Sequence, residues 1–289
     1  MSINNKIQIS ESKYNSEIDD IFSRIKTMSD VRLILIAGPS CSGKTTTTQK
    51  LVSLFAGQNV KCHMISIDDF YKDVEIQKGK QFGEGCDFEA IESIDLAELH
   101  KCLKNLTDGK EAVIPKFSFH KAKRDGISSV IKLGESDIAI IEGLHALNPV
   151  IYESFVPENK IFKIFLDCKN INSDSKYEKL PRLVRRLVRD SNFRNADAEK
   201  TFYLWENVVR GEEKYIYPYA NLADDKINTF FSYETALFKN FALEILSHLP
   251  SNSRYTEKCS LIREYLDKET EYITSDLVPA NSMLREFIG

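Results

Sequence analysis

Residues Ile34 to Thr48 read ILIAGPSCSGKTTTT. An apolar run of strand length comes first, then a glycine-bearing turn, then a segment that continues helically with Leu51, Val52 and Leu54 to bury. Gly38, Gly43, Lys44 and Thr45 satisfy the spacing G-x-x-x-x-G-K-[ST] of a phosphate-binding loop. The glycines let the chain bend until successive N–H groups point into one concavity. A helix N-terminus converges on the same place, so the concavity attracts anions. Gly38, Pro39, Ser40, Cys41, Ser42, Gly43, Lys44, Thr45 and Thr46 therefore form the candidate nucleotide-phosphate site. Lys44 brings a flexible point charge to the β- and γ-phosphates. The Thr45 hydroxyl is a hard oxygen ligand suited to Mg²⁺, which takes few protein ligands and keeps several waters. Cys41 falls at a variable position of the motif and reads as incidental, not as a nucleophile.

Working outward, the 289-residue chain is long enough for one large α/β domain or two small ones. Its apolar content of 42% and charged content of 28% are ordinary for a soluble globular protein. A formal charge of −4 gives no support for a nucleic-acid or anionic-membrane partner. The N-terminus MSINNKIQIS lacks the apolar core of a signal peptide, and no run has the length of a membrane span. Six cysteines are scattered without C-x-x-C pairs, which points to reduced thiols in the cytoplasm. Five dispersed histidines form no visible metal cluster.

Residues 8–29 carry Tyr14, Ile18, Ile21, Phe22 and Ile25 at helical spacing, the pattern of a cover helix. Val60–Ile67 reads as a second strand ending in Asp68 and Asp69. In an open parallel sheet the carboxyl ends of strands face the ligand crevice. A carboxylate there can take a proton from an attacking hydroxyl or hold Mg²⁺ through water; the alternative is a helix cap or turn. Residues 72–90 read as a mobile loop. A helix from Ser93 to Leu106 follows, with Asp95 in its first turn. Glu111–Phe119 and Ser128–Leu133 form a hairpin with a basic tip at Lys121, Lys123 and Arg124, either a solvated turn or a substrate cover. Strand Asp137–Ile141 ends at Glu142, an acid placed to anchor Mg²⁺ or its water shell. Strand Ile161–Leu166 comes next.

Arg182, Arg185, Arg186 and Arg189 then recur at i, i+3, i+4 and i+7, on one helix face. They repel one another unless an anion shares them, so the face meets phosphate or is merely solvated. Ala198–Tyr215 is a second helix, Lys226–Phe231 a short last strand, and Ser232–Leu249 and Thr256–Lys268 are C-terminal helices. Residues 270–289 are a tail with no assigned order. Strands alternating with helices imply an α/β fold of the P-loop NTPase type, a parallel sheet with helices on both faces. A hairpin insertion, an Arg-rich lid helix and extra terminal helices complete it. The expected organisation is a single kinase domain with a core over 31–231, a helical extension over 1–30 and another over 232–289.

From about Arg32 to Asn228 the chain resembles the uridine kinase and phosphoribulokinase group of P-loop kinases. The matching pieces are GPSCSGKTT, SIDDFY, IPKFSFHKAKR, IIEGLHAL and RLVRRLVRD, and the ending NSMLREFIG is similar to a uridine-kinase-like nucleoside kinase branch. The resemblance implies transfer of the γ-phosphoryl group of ATP to a small-molecule hydroxyl. Lys44 and the loop hold the phosphates, Thr45 and Glu142 serve Mg²⁺, and Asp68 is the base. Tyr71 lies near the acceptor and Asp87 grips ribose hydroxyls. Arg186, Arg189 and Arg194 belong to the lid, Arg186 and Arg189 taking part in catalysis. Phe117 and Arg124 complete the substrate site.

Departures from that group are expected to relax or redirect specificity. Phe117 and Ala122 stand where uridine kinases carry a Tyr and a His that read the pyrimidine. Ala196 replaces a lid Arg, and Leu204 replaces a Gln. Nucleosides are thus the leading acceptors. A sugar phosphate or other polyol and a non-catalytic ATP-binding module are the alternatives. Relatives of this group are often oligomeric, so a homo-oligomer is an open expectation.

Overall fold

Strand β1 (Leu33–Ala37) lies at the centre of a five-stranded sheet, and every residue in it is buried. Its side chains alternate between two apolar clusters. Ile34 and Ile36 pack into one, Leu33, Leu35 and Ala37 into the other. A strand buried on both faces reads as a continuous apolar run, as this one does. The computed structural model describes residues 2–73 and 87–289.

In chain order the helices are α1 (Ile3–Lys26), α2 (Lys44–Ala56), α3 (Leu96–Thr107), α4 (Pro149–Tyr152), α5 (Leu180–Arg194), α6 (Ala198–Tyr215), α7 (Glu234–Ser247), α8 (Thr256–Asp267) and α9 (Arg285–Ile288). The further strands are β2 (Cys62–Ser66), β3 (Ala112–Ser118), β4 (Lys123–Ile131), β5 (Ile138–Glu142), β6 (Ile161–Asp167) and β7 (Asp225–Asn228). The sheet runs β2-β5-β1-β6-β7 with every pairing parallel. Because β2 and β6 lie on opposite sides of β1, the chain changes direction at β1. The crevice beyond its carboxyl end is the place where such sheets bind ligands. Helices α1, α2, α5, α7 and α8 cover one face, and α3 and α4 cover the other.

The hairpin β3–β4 stands apart from the main sheet as an antiparallel pair. Its second strand begins at Lys123, not Ser128, so the turn is Phe119–Ala122 and Arg124 belongs to the ladder, opposite Phe117. Arg124 is therefore no part of a basic tip. Its guanidinium reaches Glu98, Asp95 at 3.4 Å and the Tyr71 carbonyl at 3.3 Å, while its N–H donates to Asp73 at 2.7 Å. Helix α1 starts five residues earlier than the periodicity predicts, adding buried Ile7. The tail is ordered into the core: Ile273, Val278, Met283, Leu284 and Phe287 are all buried with the helices around α5. The loop expected over 72–90 falls largely outside the described residues. Among the described residues no helix is long and apolar enough to cross a membrane.

Candidate active site

The phosphate loop joins β1 to α2. A β-carbon on Gly38 would overlap the Leu166 carbonyl oxygen of β6 and lie 2.7 Å from Ser42 Oγ, so only glycine lets the loop leave the sheet here. Cys41 and Gly43 both take left-handed conformations, with φ of 63° and 83°. Such alternation turns neighbouring amides inward. Gly43 is the N-cap of α2 and offers no side-chain cap, which leaves the first-turn amides for an anion. Lys44 Nζ lies over the same loop, donating to the carbonyls of Gly38 at 2.9 Å and Pro39 at 3.2 Å.

The back of the loop is held by the helix that carries the arginines. Arg182 donates to the Ser40 carbonyl at 3.2 Å, Arg185 to the Cys41 carbonyl at 3.0 Å, and Thr229 to the Ser42 carbonyl at 2.9 Å. Arg182 and Arg185 are 1% and 0% exposed, so these two guanidinium groups are neither solvated nor available to phosphate. Each has a buried carboxylate partner instead. Arg182 pairs with Glu212 and Arg185 with Glu234, both at 2.6 Å. Buried charges persist only when paired in this way. Glu212 also accepts the Ser40 N–H at 3.0 Å.

The other arginines share one acid. Asp190, buried, lies 3.2 Å from Arg186, 2.9 Å from Arg189 and 3.5 Å from Arg194. Three guanidinium groups on a single carboxylate leave net positive charge on the wall beside the loop, where Arg186 donates to Ser40 Oγ at 3.1 Å. Arg189 and Arg194 sit at the more open C-terminal end of α5, and the Arg194 side chain is 56% exposed.

Opposite this positive wall stand the acids. Asp68 lies in a 3₁₀ turn directly after β2. Burial, then the charge of Glu142, pushes its pKa up to about 7, against the opposing pull of Lys44 and Arg194. The carboxyl of Asp68 thus lies in the field of the loop lysine. Asp69 turns away and accepts the Phe117 N–H at 3.2 Å, which ties the hairpin to the sheet end. Glu142 is the last residue of β5, and Ser66 donates to it at 2.7 Å.

Asp87 is exposed, and its carboxylate accepts the Glu89 N–H at 3.1 Å. Glu89, two residues on, is the acid that turns inward. Its Oε2 is buried without a hydrogen-bond partner among the described residues. Burial pushes its pKa up to about 7, with Arg186 pulling the other way and Asp68 near enough to raise it further. No role follows for Glu89 from its position in the chain. Both acids stand in the stretch Asp87-Phe88-Glu89, and spacing alone does not say which faces in.

Beside the acids Tyr71, Phe88, Phe117 and Phe119 form an aromatic group. The Tyr71 ring centroid lies 5.1 Å from Phe88, 5.5 Å from Phe117 and 5.8 Å from Phe119. The Tyr71 hydroxyl donates to the Phe88 carbonyl at 2.6 Å, so it orients that segment.

Among the described residues no three His, Cys, Asp or Glu side chains are placed together to hold a metal. The donor set at the loop fits a hard ion that keeps most of its waters: the Thr45 hydroxyl at the start of α2 and the Glu142 carboxylate.

Residues 33–236 match the Phosphoribulokinase / Uridine kinase family. The chain is 35% identical over 168 residues to a uridine kinase of Schizosaccharomyces pombe, covering 58% of this chain and 33% of that one. It is 29% identical over 201 residues to a uridine kinase of Staphylococcus aureus strain JH9, covering 68% and 87%. A uridine kinase of Saccharomyces cerevisiae is 30% identical over 208 residues, 38% of its length. The chain therefore spans only about a third of the two fungal relatives, 33% and 38%. Among solved structures, a possible uridine kinase from Bacillus stearothermophilus superposes with a TM-score of 0.50 at 18% identity, covering 74% of this chain and 98% of that one. That likeness speaks to the fold alone. The family match opens on the first residue of β1 and closes in the first turn of α7, so it takes in the whole parallel sheet with its hairpin, and the chain belongs to the Phosphoribulokinase / Uridine kinase family.

Proposed function

We propose that this protein transfers the γ-phosphoryl group of ATP to a hydroxyl of a neutral small molecule, a nucleoside before any other. The observation that carries the reading is Asp68, placed in the 3₁₀ turn at the carboxyl end of β2 beside Glu142 and within the field of the loop Lys44. A carboxylate so placed can take a proton from an attacking alcohol. The loop amides and Lys44 hold the phosphate tail. The surplus charge of Arg186, Arg189 and Arg194 stabilises the transferring group, where such preorganised charge contributes most. Thr45 and Glu142 would hold Mg²⁺, which when bound offsets the charge of the phosphates. Asp68 deprotonates the attacking hydroxyl, and Glu89 accepts hydrogen bonds from neighbouring hydroxyls of the acceptor.

The surroundings favour a neutral acceptor over a sugar phosphate. Asp68, Glu89 and Glu142 make the acceptor side acidic, and Arg124 is already engaged by Asp95 and Glu98. An acceptor phosphate would meet repulsion there. The rings of Tyr71, Phe88, Phe117 and Phe119 suit a flat heterocycle, which they contact without hydrogen-bond reading. A pocket that lacks such reading discriminates weakly between bases.

The test is acceptor-dependent ADP release across a panel of nucleosides, free sugars and sugar phosphates. Several nucleosides are expected to be turned over with comparable kcat/KM. Faster turnover of a sugar phosphate, or no acceptor-dependent release from any compound, contradicts the reading.

A further inference from the structure

Gly211 and Glu212 are neighbours on α6, and each meets a different half of the site. A β-carbon on Gly211 would overlap Glu89 Cβ and lie 3.0 Å from its Cγ, so α6 and the inward-facing acid touch with no room for a side chain between them. Glycine is disfavoured inside a helix relative to alanine, and its presence here is accounted for by that approach. Glu212 is fully buried and reaches the phosphate loop. It accepts the Ser40 N–H at 3.0 Å and pairs with Arg182 at 2.6 Å, while Arg182 donates to the Ser40 carbonyl at 3.2 Å. The Ser40 residue is thus gripped at both its N–H and its C=O by one ion pair. Two consecutive residues of a rigid helix therefore touch the acceptor acid and the donor loop.

We propose that Gly211 and Glu212 are positioning residues that fix the spacing between the phosphate loop and the acceptor-binding carboxylate of Glu89. The proposal rests on the reading of Glu89 as a group that binds the acceptor. Helix α6 acts as a ruler. Its own atoms do no chemistry, and its register sets how far the receiving hydroxyl stands from the phosphate. Such spacing matters because attack requires the reacting atoms to be held within contact distance.

The test is Gly211→Ala, made alone and together with Glu89→Gly, in the full chain. The acceptor probe is the nucleoside with the highest kcat/KM in the panel. Gly211→Ala is expected to lower kcat/KM for the acceptor on the order of tenfold or more, because displacements of about 1 Å are costly in such sites. The Kd for ATP should change by less than about twofold, and Tm should fall modestly, since the added methyl overlaps Glu89 Cβ and that overlap outweighs the better helix propensity of alanine. In the Glu89→Gly background, which removes the Cβ that Gly211 abuts, the same change should add less than about twofold, the signature of two residues acting through one contact. Glu212→Gln also breaks the buried pair with Arg182 and is read at a temperature where it stays folded; there it should do the reverse, weakening ATP binding while acceptor KM holds. The proposal is overturned by an unchanged acceptor kcat/KM in a folded Gly211→Ala. It is overturned equally by the same fold-loss with and without Glu89, or by a Glu212→Gln that moves only the acceptor KM. Wild-type protein that turns over no acceptor overturns the kinase reading and the ruler with it, whereas active wild type with an indifferent Gly211→Ala removes the ruler alone.

Discussion

The hydroxyl of Ser66 donates a 2.7 Å hydrogen bond to Oε1 of Glu142, joining the last residues of two paired parallel strands. The bond fixes one oxygen of the acid proposed to serve Mg²⁺. Groups that orient a metal ligand are worth roughly 10–100-fold in metal affinity or activity. Ser66→Ala is therefore expected to raise the Mg²⁺ concentration for half-maximal rate by about tenfold at saturating ATP, and Glu142→Gln by more. Initial rates measured against free Mg²⁺ check this. An unchanged half-saturation point in Glu142→Gln would remove that residue from the metal site.

The acidic side gives a pH dependence with a definite sign. Both Asp68 and Glu89 are raised to about 7, first by burial. Each folded-state pKa lies above its unfolded value, so the folded protein holds these protons more tightly. Stability is thus lost as pH climbs from the ordinary carboxylate range through about 7, and the loss levels off above that. Asp68→Asn removes one such penalty. Its Tm is expected to exceed that of wild type at pH 8 and to converge on it as pH falls toward 4. A Tm difference independent of pH would show that Asp68 titrates normally.

Glu89 is also expected to govern the acceptor. Hydrogen bonds to a charged group contribute about 1.5–3 kcal/mol, so Glu89→Gln should raise acceptor KM by roughly 10–100-fold. The Kd for ATP should stay within about twofold, since only acceptor contacts are removed. Asp87→Asn, at an exposed carboxylate that caps the Glu89 N–H, should have the smaller effect. Steady-state kinetics on both variants separate the two acids, and a larger loss in Asp87→Asn would reverse their roles.

The buried pair behind the loop supports fold and site together. Arg185 and Glu234 are both fully enclosed, and Arg185 also holds the Cys41 carbonyl. Breaking a buried pair by removing one partner costs about 3–5 kcal/mol. Glu234→Gln is expected to lower the urea midpoint accordingly. A loss under about 1 kcal/mol would mean that the pair contributes like one on the surface.

The strand-loop-helix around Gly38–Thr45 was legible because its chemistry is local: spacing, glycine and an apolar run decide it. The sheet strands and α6 were legible for the same reason. What escaped depends on partners distant in sequence. Four arginines at helical spacing are visible in a chain, but Glu212 and Glu234, which neutralise Arg182 and Arg185, lie 30 and 49 residues further on. Lys123-Arg124-Asp125-Gly126 has the composition of a turn. It becomes strand because Asp73, Asp95 and Glu98 meet Arg124 from other elements. Asp87 and Glu89 differ only in which way they face, and Gly211 makes the room for Glu89. The tail has burying residues at Met283, Leu284 and Phe287, too few for a helix signal, and its order comes from packing on α5 and α7.

The most direct test of the account is Asp68→Asn assayed for both ATP affinity and turnover with the best nucleoside acceptor. As the base, Asp68 is expected to carry about 10²–10⁴-fold of kcat while the Kd for ATP changes by less than about threefold. A variant that keeps near-wild-type turnover, or that loses ATP binding in proportion to turnover, would contradict the assignment of Asp68 as the group that receives the acceptor's proton.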